Sequence, residues 1–63
     1  MKNFCVVIRN KLDADIQVLK NICLYCMGDF YLSHKIIECR FETSDQKNEF
    51  LDNLHDLEIE IIG

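Results

Sequence analysis

The pattern of apolar residues changes period four times within 63 residues, in a chain with no proline and only two glycines. Residues 4–9 are an apolar run. Residues 13–27 repeat their apolar positions at helical spacing, and 30–42 read as extended and alternating. Residues 43–54 return to helical spacing, and 57–62 alternate again. A period near 3.6 marks an amphipathic helix and a period of two a half-buried strand, so the order is strand, helix, strand, helix, strand. Few folds accommodate that order at this length.

The first strand divides into Phe4, Val6 and Ile8 on one face and Cys5, Val7 and Arg9 on the other. Asp13 is a plausible cap for the first helix, and Asp15 adds charge that suits a helix N-terminus. Leu12, Ile16, Leu19, Cys23, Cys26 and Met27 form its core stripe. Val18, Ile22, Leu24 and Tyr25 lie on its flank or outside it, so this helix is apolar over more than one face. Gly28 is placed to stop it. Residues 29–42 fit either one long bent strand or a hairpin of 30–32 and 35–42 turning at Ser33-His34. Only length favours the hairpin, because Ser-His is a weak turn signal. Ile37, Cys39 and Phe41 form the core set of the later part, with Ile36, Glu38, Arg40 and Glu42 opposite. Thr43 with Gln46 matches a capping box ahead of a narrow stripe of Lys47, Phe50, Leu51 and Leu54. In the last segment Leu57, Ile59 and Ile61 face in, while Glu58, Glu60 and Ile62 face out.

These elements predict an α+β, two-layer sandwich: two helices on one face of a three- or four-stranded sheet, as a single domain over residues 1–63. A right-handed crossover makes the first strand parallel to the one that follows the first helix. With the hairpin, the order resembles the split β-α-β, or ferredoxin-like, arrangement β-α-β-β-α-β cut to its minimum. That resemblance is one of pattern along the chain and rests on no specific motif.

A domain this small buries only about 60% of its unfolded surface, so association is one route to stability. Apolar residues make up 49% of the chain, too many for a disordered segment. No stretch is long enough to span a membrane or to serve as a signal-peptide core, and a soluble cytoplasmic protein is expected. The net charge of −4 is uneven. Residues 1–32 carry four basic and three acidic groups, residues 33–63 three basic and eight acidic. Without a Lys/Arg cluster such a chain is a poor nucleic-acid binder, and its acidic half suits a basic partner or plain solvent.

Four cysteines invite a metal or redox reading, with Cys23 and Cys26 as a C-x-x-C. Strand parity sets Cys5 on the outer face and Cys39 on the inner one, so the four do not converge as tetrahedral ligands. The C-x-x-C sits in the last turns of its helix, where the dipole raises rather than lowers a thiol pKa. Buried, reduced thiols without disulfide, metal or cofactor are therefore expected. His34 and His55 are expected to be exposed, and neither has a nucleophile or carboxylate at an informative spacing. The loop after the first strand, residues 9–12, lacks the glycines of a phosphate cradle. The outer sheet face, with Cys5, Val7, Ile36, Glu38, Glu58 and Glu60, lacks the stacking aromatics of RNA-binding sheets.

The sequence thus points to a small non-enzymatic protein-interaction module, an inhibitor, adaptor or regulator, acting on another protein and pairing with itself as a homodimer. A lysine-, asparagine- and isoleucine-leaning chain this short suits a phage or mobile element. The interface candidates are Val18, Leu24 and Tyr25 on the first helix and Val7, Ile36 and Ile62 on the outer sheet face. A competing expectation is a small-molecule sensor, with its site at the loop 9–13 and the Gly28-Asp29 corner.

Overall fold

The computed structural model of the chain describes residues 2–10, 16–57 and 59–63. The elements run β1 (Phe4–Arg9), α1 (Ile16–Tyr25), β2 (Asp29–Leu32), β3 (Ile36–Phe41) and α2 (Ser44–Asn53). The sheet order is β1-β3-β2, and β3 is antiparallel to both neighbours. β1 and β2 therefore run the same way, with β3 between them. The cap at Asp13, the stripe residue Leu12 and the loop after Asn10 lie outside the described residues.

The hairpin alternative holds for residues 29–42. Ser33 N donates to the Ile36 carbonyl at 3.0 Å, so the turn is centred on His34-Lys35, one residue later than Ser33-His34. It forms without glycine because neither His34 nor Lys35 takes a positive φ, and side chains brace it. Ser33 Oγ donates to the Ile36 carbonyl and accepts from Ile36 N. Asn10, just past β1, donates through its side chain to the Ser33 carbonyl at 2.8 Å, and its own N–H reaches the Lys35 carbonyl.

One face of the sheet builds the core. Val6 and Ile8 of β1 stand beside Cys39 and Ile37 of β3, with Phe41 at the far end, and all are buried. Leu19, Cys23 and Cys26 from α1 and Phe50 and Leu54 from α2 close over them, so both helices cover the same face. Phe41 and Phe50 meet at 5.1 Å between ring centroids, tilted by 42°, which ties the central strand to α2. The expected stripes hold apart from Met27, which is 70% exposed, and Phe4, on the rim of the inner face.

Met27 departs because the helix ends before it. Its backbone is left-handed, with φ of 63°. Its N–H returns to the Leu24 carbonyl and that of Gly28 to the Cys23 carbonyl, at 3.0 and 2.9 Å. That pair of bonds is a Schellman motif with Met27 at C′ and Gly28 one residue beyond. Gly28 is required for space rather than for backbone freedom: an added Cβ would lie within 2.4 Å of the Phe41 ring and 2.9 Å of Cys23 Sγ. The second helix opens as expected, with Thr43 Oγ1 accepting from Gln46 N at 3.1 Å. The reciprocal bond comes from Glu42 N to Gln46 Oε1, one residue upstream of the usual capping box.

The last expected strand does not form, so the order is β-α-β-β-α and the full β-α-β-β-α-β arrangement is not reached. After α2 the chain spends its backbone bonds locally, Leu57 N to the Leu54 carbonyl and Ile59 N to the Leu57 carbonyl. Only its end meets the free edge of β1, through a single antiparallel bridge, Ile8 with Ile61. The Val7 carbonyl accepts from both Ile62 and Gly63, while Val7 N donates to Gly63. Two residues thus oppose one, as in a β-bulge, and regular pairing stops. Ile59 packs against the core, but Leu57 and Ile61, expected to face in, are exposed.

Candidate functional site

The interface candidates fall into two groups on opposite sides of the molecule. Val18, Leu24 and Tyr25 lie on α1, in the helical layer. Val18 is half-buried, while Leu24 and Tyr25 are exposed, Tyr25 by 76%. At 100° per residue Val18, Ile22 and Tyr25 form one stripe on the flank of the core face, with Leu24 about 100° round from Tyr25. The stripe ends at the Schellman turn, where Met27 adds a third exposed apolar side chain. Lys2 fixes that corner, its ammonium donating to the Met27 carbonyl and to Asp29 Oδ1, both at 3.1 Å.

Val7, Ile36 and Ile62 gather on the uncovered face of the sheet. Val7 and Ile36 are half-buried, and Ile62 is tied to Val7 through its backbone. The charges around them are paired: Arg9 with Glu60 at 2.7 Å, and Arg40 with Glu38 at 2.9 Å. The Arg40 guanidinium holds the Glu38 carboxyl below the usual carboxylate range, and Glu38 in turn raises Arg40. Arg40 also stacks over the ring of Tyr31, 4.8 Å from its centre. Glu42 is exposed at the sheet end, and the side chain of Glu58 lies outside the described residues.

Tyr31 was not among the sequence candidates, nor was Leu32. They are 47% and 53% exposed on β2. The alternation Phe30, Tyr31, Leu32 carries the signal, but it becomes readable only once the hairpin is known, because a long bent strand allows no reliable face assignment.

All four thiols are free, and Cys5 lies on the outer face with Cys23, Cys26 and Cys39 buried. Cys39 is hydrogen-bonded to Cys23, and that bond and burial push its thiol well above the ordinary value. Burial also pushes Cys26 up, with Glu49 adding to the effect. A thiolate is thus opposed at Cys39 and Cys26, whereas the same bond with Cys39 draws the Cys23 thiol below its ordinary value, against the effect of its burial. No group of three or more His, Cys, Asp or Glu side chains among the described residues is arranged to hold a metal ion.

His34 and His55 are exposed. Of the sensor residues, Arg9 stands beside Ile36 at one end of the sheet and Asp29 beside Arg40 at the other, so one chain does not bring them together. A shallow recess lined by Asn10, Leu32, Ser33 and His34 opens at the Arg9 end. No helix among the described residues is long and apolar enough to cross a membrane.

No family model, curated protein or solved structure matches this chain.

Proposed function

We propose that this chain is a small protein-binding module, an inhibitor, adaptor or regulator that acts by contact and not by catalysis. The observation that carries the reading is the group Leu24, Tyr25 and Met27, three large apolar side chains exposed within four residues where α1 ends. Exposed apolar groups are ordinary singly, but neighbouring ones mark contact surfaces, and a tyrosine among aliphatic side chains is a common anchor of binding energy. The Schellman turn and the Lys2 bonds hold the cluster in one arrangement, which lowers the entropy lost on binding. The exposed acids of α2, Asp45, Glu49 and Asp52, favour a partner with basic groups at the rim of its site.

Affinity capture with wild-type and Tyr25→Ala baits tests this reading. A partner held in stoichiometric amount by the wild type and lost with Tyr25→Ala, at unchanged melting temperature, supports it. Recovery of the same proteins by both baits removes the α1 end as the surface. The small-molecule alternative has the recess at Asn10 and His34 in its favour. A thermal-shift screen with amino acids and nucleotides discriminates, and no stabilisation by any of them counts against it.

A further inference from the structure

The two edges of the sheet are treated differently. On β1 the outward N–H and carbonyl of Val7 and the N–H of Arg9 are taken up by Glu60, Ile62 and Gly63 of the same chain. On β2 they are not. The Ser33–Ile36 bond and the register Tyr31↔Glu38 fix which residues of β2 face β3. Bonding alternates along an antiparallel ladder, so the N–H and carbonyl groups of Phe30 and Leu32 point away from β3. Among the described residues the sheet ends there. Exposed edges are commonly guarded by proline, lysine or a bulge. Asp29–Leu32 is short, at four residues, but it has no proline or lysine, and its register with β3 is unbroken. Its one charge, Asp29, is paired with Lys2.

We propose that this edge takes the β2 strand of a second copy of the chain, antiparallel about a twofold axis at Tyr31. The assignment rests on the contact-module reading above and names the partner of one further surface. An antiparallel strand paired with itself closes under twofold symmetry. In this register Phe30 of one copy meets Leu32 of the other, so the outward groups of both residues are satisfied on both chains. The two Tyr31 side chains fall directly opposite at a non-hydrogen-bonded position, where side chains approach most closely. Each is flanked by the Arg40 already stacked on it. Leu32, half exposed in one copy, is covered in two.

Sedimentation velocity over rising concentration, with the full chain and Leu32→Pro, tests the assignment. Proline removes the outward N–H of residue 32 but no bond to β3, and it is tolerated on edge strands in that orientation. The wild type should associate to a dimer, and Leu32→Pro should weaken the association at least about tenfold at unchanged circular dichroism. A wild type that stays monomeric at millimolar concentration overturns the proposal, as does a Leu32→Pro dimer as tight as wild type. Should Leu32→Pro not fold, amide exchange in the wild type decides: the Phe30 and Leu32 amides must slow in proportion to the dimer fraction, and free exchange in the dimer overturns it. Tyr25→Ala should leave this dimer intact while losing the partner, so the two surfaces fail separately.

Discussion

Cys39 is buried against Cys23 with no polar side chain buried among the described core residues. A hydroxyl there has only a sulfur to bond, so Cys39→Ser should cost about 1–3 kcal/mol, read from denaturant midpoints at constant slope. Alkylation without reductant, followed by mass measurement, should count four free cysteines; a stoichiometric zinc signal contradicts the core-thiol reading. On the outer face, Arg40→Gln should raise the titration of Glu38 toward the ordinary carboxylate range, followed by carboxyl carbon-13 shifts. Glu38 is depressed in the folded state. Its contribution to stability is therefore present above the unfolded carboxylate value and lost as pH falls through its own lower one. The pair lies at the half-exposed sheet surface, where solvent screens it, so the titration and not the melting temperature is the sensitive readout.

At the scale of elements, the helix ends show what a sequence carries and what it hides. Thr43 and Gln46 identify the start of α2 because capping needs only residues a few positions apart. The left-handed position at the end of α1 falls one residue before the glycine. Gly28 looks like a left-handed cap, yet Met27 takes the left-handed position while Gly28 makes room for Phe41, thirteen residues on. That requirement comes from tertiary packing and leaves no local trace. Met27→Gly should therefore stabilise the fold by roughly 1 kcal/mol, since a non-glycine residue in that region costs about 1–2 kcal/mol, partly offset by glycine's greater entropy loss. Gly28→Ala should destabilise it strongly, since its Cβ would meet the Phe41 ring, and a neutral Gly28→Ala in denaturant melts would contradict that packing role. The hairpin is legible only as an alternative, since its turn is held by Asn10, just past β1 and distant in sequence. Residues 57–62 alternate well enough for a strand, but the bond from Ile59 to Leu57 and the doubled opposition at Val7 leave one bridge. Alternation reports faces and does not report whether a partner edge is met in register.

At the scale of the whole molecule, three surfaces stand apart. The helical layer presents Tyr25 and Leu24, the sheet presents Val7, Ile36 and Ile62, and the β2 edge presents Tyr31 and Leu32. The first two sets were readable from helical spacing and strand parity. The third depended on knowing which strand lies at the edge, and that follows from topology alone. The most direct test of the contact reading is site-specific photo-crosslinking in the native host, with benzoylphenylalanine at Tyr25 and, as a control, at exposed Asn48 on α2. A discrete adduct of one partner from position 25, absent from position 48, is the expected result. The same diffuse products from both positions, or none from either, would contradict it.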